Sequence, residues 1–341
     1  MSTVQGVTAV RLDSPLAPSP TSTWRTAAAR RTVRRRGDGS QLGSIALVLG
    51  GAVSLQFGAA IAALLFPRAG AMGVVFLRLA LAAVVMLLIC RPRIRGYSPG
   101  DWALVTTFGV ALAGLNSLFY QAIERIPLGA AVTLEVLGPL TLSVLAARRK
   151  ASLFWAALAL AGVFLLGRGG FDSLNVEGVL FALAAGVLWA LYILLSARTG
   201  RHFPKADGLA IALAIGAVLS LPFGIASAGS ALLDPVTLGL GAAVALLSSM
   251  LPYTLELLAL RRIAAATFAV LMSLEPAIAA FAGFLVLSQA LSVLEGLGMA
   301  LVIIASIGAV RLSRSARSSG SGTRDPEDHG QPAVPPNGAV L

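Results

Sequence analysis

Ten apolar runs of about 18–25 residues follow one another along this chain, and each is as long as a helix must be to cross the hydrocarbon core of a bilayer. We place them at residues 44–65, 71–90, 102–122, 127–147, 153–168, 177–197, 207–227, 236–258, 264–287 and 291–311. A backbone in lipid must satisfy its own N–H and C=O groups, so a spanning segment is a helix or a strand of a closed barrel. Barrel strands alternate apolar and polar residues, and these runs do not. The expected fold is therefore an all-α integral membrane protein with ten transmembrane helices. Composition agrees: 57% of the 341 residues are apolar and 12% are charged, against about a quarter charged in a soluble domain. The single cysteine, Cys90, excludes an intramolecular disulfide, and two histidines, His202 and His329, do not make a metal cluster. No cofactor or metal is expected.

The net charge of +11 would fit a nucleic-acid binder if the bases lay on one soluble face. They lie instead in short clusters between the runs and at both ends, so no nucleic-acid partner is expected. With the N-terminus in the cytoplasm, twenty-two Lys and Arg fall on the cytoplasmic side and three, Arg68, Arg125 and Arg168, fall outside. That asymmetry is the positive-inside pattern, and it places both termini in the cytoplasm. Residues 1–42 and 312–341 read as disordered cytoplasmic tails, rich in Ser, Pro and, at the N-terminus, Arg. No small-x-small cleavage site closes the first apolar run, so the arm is read as uncleaved. Its seven arginines would permit binding to anionic lipid.

The chain also repeats itself. Arg125-Ile126 followed by Pro139 returns as Arg262-Ile263 followed by Pro276, at an offset of 137. Gly50 and Gly186 correspond at an offset of 136. Residues 43–169 and 176–311 are thus two five-span repeats. Five is odd, so the second is inverted relative to the first, an architecture of secondary transporters.

Ionisable residues inside spans are costly and usually mark a pathway or a pair. Arg78 in span 2 and Glu135 in span 4 lie at equal depth, about eight residues from the outer end, which permits an ion pair. Asn116 stands at a similar level on span 3, with Tyr120 above it. A zwitterion needs a carboxylate for its ammonium and a cation for its carboxylate, and Arg78, Glu135 and Asn116 could supply that set. The plainer alternative is a buried pair that only locks spans 2 and 4. Glu275-Pro276 sits near the middle of span 9. The proline leaves a carbonyl one turn earlier without its donor and kinks the helix, and Pro139 does the same in span 4. Glu275 and Glu135 are candidate proton carriers; Glu275 could equally pair with a neighbouring helix. Glu256, close to Arg261 and Arg262, reads as a local ion pair or cap. Tyr253 matches Asn116 under the 137 offset, and Gln56 matches Tyr192 under the 136 offset. All four could line one central cavity, or serve as interhelical hydrogen bonds. The stripes Gly109-Ala113-Ser117 and Gly296-Ala300 read as close helix packing.

No Walker A motif, G-x-S-x-G or H-E-x-x-H is present, so neither ATP-driven transport by this chain nor hydrolysis is expected. The chain resembles the EamA family of the drug/metabolite transporter superfamily, and within it the RhtA-type threonine/homoserine exporters. The resemblance spans about residues 44–311. It rests on Gly114-Leu115-Asn116 with Leu118-Phe119-Tyr120, on Pro127-Leu128-Gly129, on Leu134-Glu135 and on Gly138-Pro139-Leu140. It continues in Leu251-Pro252-Tyr253, Leu255-Glu256, Arg262-Ile263, Thr267-Phe268 and Leu271-Met272-Ser273-Leu274-Glu275-Pro276-Ala277. The resemblance implies ten helices in two inverted repeats and an inner-membrane carrier that exports small neutral amino acids. One departure stands out: such proteins often carry Gly-Glu after span 9, where this chain has Ser288-Gln289. A carrier of another metabolite or a drug, in either direction, is the alternative. A non-transporting scaffold or sensor is the distant one.

Overall fold

Apolar residues with their backbone closed on itself form helices throughout, and the computed structural model contains no strand among the described residues. It describes residues 23–147, 150–168, 175–204, 206–260 and 265–320, with Tyr253 and Glu256 described by backbone alone. The helical body begins at Ser44. Helix α1 (Thr23–Leu64) starts inside the stretch read from composition as a tail, and its apolar part is Gly43–Leu64. It is followed by α2 (Phe66–Cys90) and α3 (Pro99–Ile123). The fourth apolar run is broken into α4 (Leu128–Glu135) and α5 (Leu137–Ala147). Then come α6 (Lys150–Arg168), α7 (Val176–His202) and α8 (Asp207–Ala228). The eighth run consists of α9 (Pro235–Ala245), a π-helical turn (Leu246–Met250) and α10 (Leu251–Leu260). The ninth is split into α11 (Ala265–Met272) and α12 (Glu275–Leu287), and α13 (Val293–Gly320) closes the series.

Seven of the described helices are long and apolar enough to cross a membrane. Three shorter apolar helical stretches, Leu128–Leu142, Leu153–Leu165 and Pro235–Met250, accompany them. The helix expected to kink at Pro276 stops at Met272 and restarts at Glu275, with the proline in the first turn of α12. There its missing N–H costs nothing, because first-turn N–H groups have no intrahelical partner. Pro139 likewise falls in the first turn of α5.

Helix ends define two faces. Phe66 at the start of α2 stacks on Tyr120 near the end of α3, with ring centroids 5.8 Å apart. Arg68 acts electrostatically on Asp234, which caps α9. Arg125 pairs with Glu177 at the start of α7 at 3.3 Å. At the opposite face, Tyr97 stacks on Phe203 at 4.5 Å, and His202 Nδ1 lies 2.9 Å from Asp101 Oδ1.

Small residues set the closest approaches. A Cβ on Gly109 would sit 2.9 Å from the Ala212 carbonyl of α8, so this stripe packs tightly, as expected. The Gly296-Ala300 stripe does not. Both residues are exposed, and nothing lies within 4 Å of a Cβ built on Gly296. About half a turn of phase decides this, because Gly298 faces the neighbouring helix instead, and a Cβ on Gly162 of α6 would meet its carbonyl at 2.6 Å. The tightest contact joins Gly138 of α5 to Gly186 of α7: a side chain on Gly138 would collide with the Gly186 backbone, and one on Gly186 would meet the Glu135 carbonyl of α4 at 2.6 Å.

Candidate functional site

The polar residues scattered over six apolar runs converge. Gln56 (α1), Arg78 (α2), Asn116 (α3), Glu135 (α4), Tyr192 (α7) and Glu275 (α12) line one cavity of about 150 Å³. Its remaining wall is apolar, built from Leu112, Leu115, Phe119, Trp189, Pro252 and Met272 among others. Gln56, Arg78, Asn116 and Glu275 are all buried. One expected residue stands apart. Tyr120 is fully buried behind Arg78 and forms no part of the lining. The side chains of Tyr253 and Glu256 lie outside the described residues.

The helix breaks place the two carboxylates. α4 ends at Glu135 because the backbone tightens at Val136, whose N–H reaches both the Leu134 and Val132 carbonyls. The Gly138–Gly186 contact pins this break against α7. Glu275 opens α12, so its carboxylate stands at the positive end of that helix, where negative charge is favoured. The Gln56 Oε1 is buried without a hydrogen-bond partner. A buried polar atom left so is unfavourable by about 1–3 kcal/mol, and a solute or water in the cavity relieves it.

Arg78 is the cation of the site, and its charge acts on the Glu135 carboxylate. Its donors also reach neutral groups on two other helices. Nη1 donates to the Tyr120 hydroxyl at 3.2 Å, Nε to Ser249 Oγ at 3.1 Å, and Nη2 to the Ser248 carbonyl at 2.9 Å. The guanidinium also lies 5.6 Å from the Tyr120 ring centroid. Sequence reading missed the two serines. Their availability comes from the π turn and Pro252. In an α-helix, residue 252 would donate to the Ser248 carbonyl, but proline has no N–H. Leu251 would donate to Leu247, but in the π turn it bonds back to Leu246. Two successive carbonyls are thereby released. Ser54 Oγ takes the Leu247 carbonyl at 2.6 Å, and Arg78 takes that of Ser248. The legible signal was a proline four residues after a serine in an apolar span.

A second cavity of about 380 Å³ adjoins the first and shares Trp189, Tyr192 and Met272 with it. It is mostly apolar, with Pro139, Leu140, Phe268 and Val310 in its wall. It extends along α7 toward the face that carries His202.

Ser288-Gln289 also finds a place. Ser288 ends α12 in a left-handed conformation, φ 55°, which favours glycine. Gln289 Oε1 accepts from the Leu128 backbone N–H at 3.0 Å and so caps α4. Position 289 thus serves a helix N-terminus, away from the cavity lining.

A helical bundle built around a charged, apolar-walled cavity is the architecture of a multi-pass membrane transporter. The EamA-like transporter family profile matches residues 176–311. The chain is 40% identical over 266 residues to the threonine/homoserine exporter RhtA of Escherichia coli strain K12, covering 77% of this chain and 90% of that one. Identity to the RhtA of Salmonella typhimurium strain SL1344 is also 40%, over 257 residues, with 75% and 87% covered. The uncharacterized transporter YwfM of Bacillus subtilis strain 168 is 30% identical over 212 residues, 60% of this chain and 71% of its own. The chain belongs to the EamA-like transporter family. A solved crystal structure aligns with 83% of this chain and 99% of its own at TM-score 0.51 and 20% identity, a likeness of fold alone.

Proposed function

We propose that this protein is a secondary transporter of the inner membrane that exports small neutral amino acids of the threonine/homoserine kind, by alternating access and in exchange for protons. The observation that carries the reading is the single cavity in which one arginine, two carboxylates and two amides meet against an apolar wall. Arg78 faces the solute carboxylate, Glu135 faces its ammonium, and Asn116 and Gln56 orient its polar groups. Tyr192 completes the wall, Tyr253 is a further candidate for binding the solute, and Tyr120 acts through Arg78. Glu275 carries the proton, with Glu135 able to share it, as intramembrane carboxylates do in pumps and transporters. An apolar cavity of about 150 Å³ holds a molecule as large as benzene, so a small amino acid is the right scale. The 40% identity to exporters named for threonine and homoserine supports the solute class.

In this reading the three shorter apolar stretches join the seven longer helices to make ten spans in two inverted repeats, residues 43–169 and 176–311, with both termini cytoplasmic and polar tails at 1–42 and 312–341. Packing supports the inversion. Under exchange of halves, the α3–α8 contact corresponds to that of α9 with α2, while α2–α8, α4–α12 and α6–α13 map onto themselves. Each of these contacts is present.

The test is efflux from cells preloaded with labelled threonine or homoserine. Faster loss with the protein than without, collapsing with a protonophore, is the expected result. Normal export by Glu135→Gln or Glu275→Gln removes that residue from the mechanism. No difference from control cells discards the amino-acid assignment and calls for a panel of metabolites and drugs.

A further inference from the structure

The cavity has different neighbours toward its two faces. Toward the His202 face it continues into the larger apolar cavity. Toward the face where α2 begins and α3 ends, it meets Arg78 and its partners. Tyr120 stands three residues from the end of α3, is fully buried, and is covered in turn by the Phe66 ring. Ser248 and Ser249 belong to the π turn, buried between α1 and α2. Gly58 lets α1 approach so closely that a Cβ there would lie 2.9 Å from the Ser248 Cβ. The guanidinium therefore ties α2 to α3 and to the eighth apolar run at the level that separates the cavity from this face.

We propose that Arg78 is a latch that closes the cavity toward the Ile123 face, and that Ser249, Tyr120 and the Ser248 carbonyl freed by Pro252 are its seat. The three acceptors of this seat are neutral, whereas a carboxylate adds opposite charge and a bidentate geometry that matches the guanidinium fork. The same arginine can therefore leave its seat for an anionic group in the cavity, and its departure unties three helices at once. Ser249 and Pro252 are positioning residues here, because they act through Arg78. A π turn is a common device at functional sites because it offers a carbonyl to a partner outside its own helix.

This inference rests on the cavity being the transport cavity, yet its test needs no solute. In a Cys90→Ser background, Leu115→Cys places a thiol in the cavity wall, and Glu124→Cys marks the Ile123 face. A membrane-impermeant methanethiosulfonate reagent is applied to right-side-out and inverted vesicles, and the orientation that labels Glu124→Cys quickly identifies the face. Ser249→Ala and Tyr120→Phe should each raise the labelling rate at Leu115→Cys severalfold from that face alone. Pro252→Ala should do the same, since its restored N–H recaptures the Ser248 carbonyl. Ser249→Thr should keep the parent rate. Unchanged rates in Ser249→Ala and Tyr120→Phe overturn the latch, as does an equal rise from both faces, which signals general loosening. Unchanged labelling in a protein that exports threonine convicts the latch alone. Faster labelling in a protein that does not export threonine convicts the solute assignment alone.

Discussion

At the scale of the residue, three chain positions carry predictions that do not involve the cavity. Asp234 caps α9 and accepts from the Thr237 backbone N–H at 2.9 Å and from its hydroxyl at 3.0 Å. These bonds, with the Arg68 charge, hold its carboxyl below the ordinary value of 3.8. A carboxyl lowered in the folded state contributes stability that is present above its unfolded pKa and is lost as pH falls through the folded one. Asp234→Asn, which keeps a cap but not the titration, should flatten the fall in melting temperature measured in detergent below about pH 4. An unchanged profile would show that other carboxyls set the acid limit. Ser288→Gly with Gln289→Glu should raise stability by about 1 kcal/mol, from a relieved left-handed residue and an anion at the start of α4. The protonophore sensitivity of efflux should not move. A shift in that sensitivity would return position 289 to the coupling machinery. The polar residues of the cavity were legible one by one, from their cost in apolar runs and their correspondence between halves. Ser248 and Ser249 were not, because a serine in a membrane helix commonly bonds its own preceding turn, as Ser248 Oγ does with Val244 at 2.6 Å.

At the scale of the element, the broken helices position the chemistry. The Gly138–Gly186 contact fixes the end of α4, and with it Glu135. Gly138→Ala should reduce folded, detergent-stable protein sharply, because backbone opposes backbone and no flexible side chain can give way. Overpacking costs about 1–3 kcal/mol even where relaxation is possible. A normal yield and melting temperature for this variant would show that α5 and α7 can slide apart. Pro276→Ala removes the residue that favours a fresh helix start at Glu275. The variant should express normally and lose most of its efflux, since fusing α11 to α12 carries Glu275 around the helix axis, away from the cavity. Full efflux would mean that packing around Ser273 and Leu274, rather than the proline, holds the break. The prolines were visible in the sequence as interruptions. Whether each would kink a helix or divide it was not, because that depends on which neighbour donates to the released carbonyl.

At the scale of the whole molecule, transport should depend on the helical body that begins at Ser44. Removing residues 1–40 and 315–341 should leave efflux per folded protein within about twofold, as chain termini commonly tolerate truncation. Loss of all flux with correct membrane insertion would favour a role read through the tails. Hydropathy by itself determined that the chain is helical and membrane-bound, because lipid leaves a backbone no other way to satisfy its polar groups. Ionisable residues inside apolar runs identified Arg78, Glu135 and Glu275, and polar residues matched between the halves added Gln56, Asn116 and Tyr192, because lipid makes such residues too costly to keep without use. Only the tertiary structure decided that they share one cavity, which helix stripe packs and which faces outward, and where Arg78 sends its hydrogen bonds. Those outcomes depend on helix phase and on carbonyls freed by a π turn. A single residue of register changes both, and neither leaves a mark in composition or spacing.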